Sequence, residues 1–348
     1  MKTRRNLYCL IAGLWLVVLV FVFWPGGSRS PVVPPPPVAS TRSHQRTTLP
    51  APAPPSKQVR TLAHLAQLAE KGELPKLTRG QIDAYLRAQN RSAGSLLAAH
   101  HLSRDQAFLV EAMEKFPNDP QVLLTSLLIT SGLPEKQLET LAKLKLTDPG
   151  NGLGDCLAAR ALFELGKQEE AMAALSESMG KPFQDYMIPS CQNAEEAYLS
   201  AGFSPLEAKM AALNGASKFL TIQLRHVADA LKKQRAAHVG NEEALQHFRS
   251  LQLGMADQIR SGGFPVDSLV AMSVEKGVLK EIDTPESQAR LETIQQERDA
   301  MFADQKRITD LMASSSVPES DWLLYFDRVK LFGDKAASTW FLEKHPEP

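Results

Sequence analysis

The stretch NGLGDCLAARALFELGKQEEAMAALSESMGKP, residues 151–182, decides how the rest of the chain is read. Two runs with apolar residues at helical spacing flank Gly166-Lys167, and the small Ala159 and Ala171 stand where two helices would approach closely. Leu162 and Leu175 fill the expected interface. Such a helix–turn–helix unit cannot bury its apolar face alone and needs stacked neighbours. Gly132, Gly166 and Gly202 recur at intervals of 34 and 36 residues, each between two apolar helical stretches, so the unit is expected to repeat.

Outward from this unit the pattern stays helical and strand signals are nearly absent. Thr78 with Gln81, Ser204 with Glu207 and Ser316 with Glu319 have capping-box spacing, which satisfies free backbone donors at a helix start. Asp119-Pro120, Ser204-Pro205 and Thr284-Pro285 place a capping side chain before a ring already set for the first turn. Residues 216–239 and 241–261 read as helices broken at Gly240, with a loop at Gly262-Gly263-Phe264-Pro265. Residues 285–313 form the longest expected helix. Its Leu291, Ile294, Met301, Ile308 and Met312 lie near heptad spacing, but Arg298 and Gln305 interrupt a coiled-coil seam, so it is expected to pack on its own domain. Trp322, Tyr325, Phe326, Phe332, Trp340 and Phe341 form an aromatic cluster suited to capping a helical array, with a peptide-binding groove as the sharper alternative.

Residues 151–182 resemble a tetratricopeptide repeat. The resemblance extends to units ending at Asp119-Pro120 and Asp148-Pro149 and to one around Tyr198 and Gly202, covering about residues 90–220. It implies an all-α fold, a tetratricopeptide-like α-solenoid. The pattern departs from the family where the early units are spaced by only 29 residues and where Lys115, Gln137 and Glu195 replace small residues, which keeps an irregular helical array as the alternative. Residues 61–220 are therefore read as the repeat region and 221–348 as a C-terminal helical region.

The first 60 residues have a different character. Leu7 to Trp24 is almost wholly apolar, uncharged, and about 27 Å long as a helix, close to the roughly 30 Å of a bilayer core. Lys2, Arg4 and Arg5 precede it closely, so residues 1–6 are expected in the cytoplasm and the main domain outside it. A cleaved signal peptide fits less well, because Phe21, Phe23 and Trp24 stand where small residues are required. Residues 25–60 read as a disordered spacer, since ten of the 31 residues from Pro25 to Pro55 are proline. The expected location is the bacterial inner membrane, single-pass, with a periplasmic body. The sequon Asn90-Arg91-Ser92 keeps a eukaryotic type II protein as the other reading.

Eight of the 39 basic residues precede position 61 and the first acidic residue is Glu70, which leaves 31 basic against 39 acidic residues in the body. Nucleic acid is thus not an expected partner, and the body should favour partners with basic patches. The histidines form no HExxH, the adjacent His100-His101 point apart on a helix, and Gly150-Asn151-Gly152-Leu153-Gly154 lacks the strand of a dinucleotide fingerprint. No catalytic residue, cofactor or metal is expected. Cys156 and Cys191 precede Gly166 and Gly202 by nearly equal distances and form a candidate disulfide, with buried free thiols as the alternative. Arg160, Glu164, Glu195 and Tyr198 project from the expected first helices and are the candidate partner-binding face. The expected function is a membrane-anchored scaffold that binds another protein or peptide and is not an enzyme. An envelope chaperone is the alternative, an envelope-acting enzyme the weaker one, and self-association is left open.

Overall fold

The structure, a computed structural model, describes residues 60–127, 129–130, 132–214, 219–314 and 316–346. Sixteen helices and no strand occur among the described residues. They are α1 (Leu62–Lys71), α2 (Arg79–Ala88), α3 (Ala93–Ser103), α4 (Gln106–Lys115), α5 (Pro120–Ser126), α6 (Pro134–Thr147), α7 (Gly152–Glu164) and α8 (Gln168–Ser178). There follow α9 (Met187–Ser200), α10 (Pro205–Asn214), α11 (Phe219–Ala237), α12 (Glu242–Arg260), α13 (Pro265–Ile282), α14 (Pro285–Ser314), α15 (Glu319–Phe332) and α16 (Asp334–Lys344). None is long and apolar enough to cross a membrane. The expected anchor at 7–24, the expected cytoplasmic segment 1–6 and the expected spacer up to residue 59 lie outside the described residues.

Local chemistry sets the boundaries. Thr78 and Gln81 form the reciprocal box at the start of α2. Ser204 and Glu207 do the same for α10, and Asp119 caps α5 with Pro120 in its first turn. The box expected at Ser316 and Glu319 does not form. Pro318 holds the cap position, so Glu319 is the first helical residue instead of the third, and the Ser316 amide donates to Ser314 Oγ at 3.3 Å. Gly132, Gly166 and Gly202 all adopt positive φ, at 83°, 73° and 87°. At Gly166 this lets the Lys167 amide return to the Leu162 carbonyl at 2.9 Å, which closes α7 and turns the chain into α8.

From α3 to α8 the helices pack in consecutive pairs, α3 on α4, α5 on α6 and α7 on α8, and each pair packs on the next. At α9 the order changes. The chain crosses over residues 179–186, and α9 packs on α2, α3, α10 and α15. Gly94 of α3 permits this approach, because a Cβ there would lie 2.7 Å from Asn193 Nδ2 of α9. Gln121 of α5 donates to Ser190 Oγ of α9 at 2.8 Å, and α11 packs on α7. The first helices of all three pairs thus meet the chain's own later helices, which occupy the face an open array would offer to a partner.

The crossing segment is fixed by Asn151, which is 2% exposed. Its Nδ2 donates to the Gln184 carbonyl at 2.9 Å, its Oδ1 accepts from the Gln184 amide at 3.0 Å, and Tyr186 donates its hydroxyl to Asp148. Residues 60–348 form one compact unit. Its largest core runs from Leu123 to Val274 and so crosses residue 220, which means that 61–220 and 221–348 share an interior. A second core joins α1, α10 and α14 to α16 through Leu65, Met210, Ile308, Trp322 and Phe341.

Candidate functional site

α15 buries Trp322, Tyr325, Phe326 and Val329 on one face, the i, i+3, i+4, i+7 stripe of a helix packed on one side. Trp322 and Phe341 meet with ring centroids 4.4 Å apart, and Tyr325 lies 5.0 Å from Phe341. Four of the six aromatic residues of the C-terminal cluster are therefore core. Phe332 is exposed, Trp340 is half-buried against the edge of the same core, and the two border an outer face.

That face is built by the corner between α15 and α16. Gly333 sits there with φ 81° and ψ 165°, against the backbone of Gly263, and the Asp334 amide donates to the Gly263 carbonyl at 2.9 Å. Opposite the buried stripe of α15 stand Leu324, Arg328 and Leu331, at i, i+4 and i+7. Leu324 is 50% exposed, Leu331 47% and Phe332 60%. The Arg328 guanidinium lies 4.7 Å from the Trp340 ring centroid and 5.4 Å from that of Phe332, within cation–π range of both. Lys344 Nζ lies 5.6 Å from the same indole. Arg328 Nε is covered and donates no hydrogen bond.

The carboxylates around this face are used inward. Asp321 accepts from Lys344 at 2.6 Å and lies 3.2 Å from His345 Nε2, and the Lys344 hydrogen bond chiefly holds its carboxyl below the ordinary value. Asp327 faces Lys209 and Lys330, which also bond the two oxygens of Glu195 at 2.8 and 2.7 Å. The result is a closed ring of alternating charge joining α9, α10 and α15. Burial works against the Asp327 charge, but the hydrogen bond from Lys209 and both lysine charges outweigh it and keep its carboxyl low. Asp334, under the corner, is the opposite case. Burial raises its carboxyl despite hydrogen bonds from Tyr325, Ser338 and Gln305.

The four residues expected to form a partner face are not brought to one surface. Arg160 and Glu164 form an i, i+4 pair on α7 at 2.6 Å. Glu195 belongs to the half-buried charge ring, and Tyr198 is 5% exposed with its hydroxyl donating to the Pro75 carbonyl at 2.9 Å. Both turn inward because α9 doubles back onto the fold. The same change separates the cysteines. Cys156 on α7 has its Sγ 3.9 Å from Met255 Sδ, Cys191 on α9 has its Sγ 3.9 Å from the Ala212 carbonyl, and both are free. Burial pushes the Cys156 thiol up to about 12 and that of Cys191 up to about 11.

Phe332 and Trp340 stand out in the sequence as aromatic residues, whereas Leu324, Arg328 and Leu331 do not. The signal for the two leucines was present in the helical register, since they lie opposite Trp322, Phe326 and Val329, with Arg328 between them in sequence on the flank of that face. The arrangement offers a cation held between two rings, edged by leucines, which is binding chemistry of the kind concentrated at interface hot spots. No cluster of three or more His, Cys, Asp or Glu side chains that could hold a metal occurs among the described residues. Comparison of the chain with known protein families, with curated proteins and with solved structures finds no match.

Proposed function

We propose that this protein is a membrane-anchored, extracytoplasmic scaffold of tetratricopeptide-like helical pairs that binds another protein. The supporting observation is the outer face of α15 and α16, where Leu324, Leu331 and Phe332 are exposed around a ring-stacked Arg328. In this reading residues 7–24 supply the anchor and 25–60 a proline-rich spacer. The partner-binding face moves, in this reading, from the first helices of the pairs to the C-terminal corner.

The test is a photo-cross-linking residue at position 332 of the full-length protein in cells, with one at the exposed Leu146 of α6 as control. A discrete cross-linked protein at 332 and none at 146 is the expected result. A broad set of unfolded clients would favour the chaperone alternative, and the absence of any adduct at 332 would overturn the scaffold reading. The anchor is tested separately by whether alkaline carbonate extracts the chain from membranes.

A further inference from the structure

The composition of the α15–α16 face narrows what could cover it. Leu324, Arg328 and Leu331 span about 10 Å along α15 at 1.5 Å per residue, and Trp340 of α16 stands beside them. Two packed helices with an apolar stripe on their outer side offer a seat for a third, whose own apolar residues recur at i, i+3 or i+4, and i+7. The charge at the centre of the seat is positive. Among the described residues no carboxylate pairs with Arg328, because Asp321 and Asp327 are engaged by Lys344, His345, Lys209 and Lys330.

This charge separates the occupants. In a two-fold contact between copies centred on α15, Arg328 would meet its own image across the axis, and like charges in juxtaposition oppose association. An anionic bilayer would suit Arg328 locally, but it would be approached by a body with 39 acidic against 31 basic residues. A partner helix with one acidic residue in its apolar stripe meets both demands. Its carboxylate reaches the outward nitrogens of a guanidinium already oriented by two rings, so little side-chain freedom remains to be lost.

We infer that the α15–α16 face is a helix-docking seat for an amphipathic helix of another protein, with apolar side chains on Leu324, Leu331 and Phe332 and a carboxylate on Arg328. This rests on the scaffold reading and specifies the chemistry of its partner. The consequence is that selectivity lies in one charge, and the leucines and rings supply contact area without discriminating between helices.

The experiment is selection of a displayed library of helical peptides on the full-length protein. The library carries leucines fixed along one stripe and all other positions randomised. In parallel, selection is run on Arg328→Glu and on Phe332→Ser, both first shown to melt at the wild-type temperature. Wild-type protein should enrich Asp or Glu between the leucines, and Arg328→Glu should enrich Lys or Arg at the same place. By fluorescence anisotropy, peptides selected on wild type should bind Arg328→Glu at least roughly tenfold more weakly and recover when their acid is changed to Lys. Phe332→Ser should weaken both peptide sets about equally. Enrichment no greater than on Phe332→Ser, or no preference for an acid, overturns the assignment. A position-332 adduct carried by lipid or by a second copy also overturns it. A single protein cross-linked at 332 together with a charge-indifferent library would refute the acidic helix and leave the scaffold reading in place.

Discussion

Replacing Gly333 by alanine tests the corner that creates the outer face. Its φ of 81° and ψ of 165° fall in a region reserved almost entirely for glycine, at a cost of about 1–3 kcal/mol for another residue. Space is also lacking. A Cβ on Gly333 would lie 2.7 Å from the Gly263 Cα, with the Gly263 carbonyl oxygen closer still, so one of two backbones must move. Movement endangers the hydrogen bond from the Asp334 amide to that carbonyl, worth about 1 kcal/mol. Together these give a loss of about 2–4 kcal/mol, or a fall in melting temperature of roughly 4–8 °C for a body of this size.

Two other glycines calibrate the measurement. Gly166 has φ 73° but open space around it, so Gly166→Ala should cost about 1 kcal/mol and lower the melt by roughly 2 °C. Gly277 lies within α13 at ordinary φ with nothing within 4 Å, so Gly277→Ala should raise the melt by roughly 2 °C through helix propensity. Circular dichroism melts of the four proteins should therefore rank Gly333→Ala lowest, then Gly166→Ala, wild type and Gly277→Ala. A Gly333→Ala protein that melts at or above Gly166→Ala would refute the claim that backbone contact with Gly263 defines the corner.

Glu111 is held down to about 2 by its hydrogen bonds from Arg91, which outweigh burial and are aided by Lys115. Its folded value is depressed, so its contribution is complete above the ordinary 4.5 and is lost as the pH falls from there through 2. The melting temperature of Glu111→Gln should accordingly fall less than that of wild type across this window. In the charge ring, Glu195→Gln leaves Lys209 and Lys330 sharing Asp327 alone and should cost about 2 kcal/mol in urea unfolding. A second change, Lys209→Met, should cost clearly less in the Glu195→Gln background than in wild type. Cys156 and Cys191 should stay unalkylated at pH 8 in the folded protein and react in urea, and peptide mapping should find no Cys156–Cys191 linkage.

Much of the secondary structure was legible because helix boundaries are local. The longest helix, expected over 285–313, spans Pro285–Ser314, and the break at Gly240 falls between Ala237 and Glu242. The return of α9 was not legible. Cys191, Ala194 and Ala197 state that one face of α9 is small and buried, and such a face suits α3 as well as it suits α7. What decides between them is the Asn151 hub and the space at Gly94, which bring together residues far apart in sequence. The outer face was half legible for a related reason. A cluster of aromatic residues signals burial as a set, and register alone would place Phe332, at i+7 from Tyr325 and i+3 from Val329, on the buried stripe; it is exposed because α15 ends there and the chain turns at Gly333.

The way the chain closes on itself determines where mechanical load would travel. Residue 60 is tied to α10 through the Arg60–Glu207 pair, and α1 lies on α10 and α14, the helices that also carry α15 and α16. Tension applied to the backbone at residue 60 would thus be borne first by the second core, where Leu65 packs in one cluster with Trp322 and Phe341. The paired helices α3 to α8 would be shielded from it. A pull at residue 60 would act on the same helices that present Arg328, so force and any change at the outer face would be felt by one set of contacts.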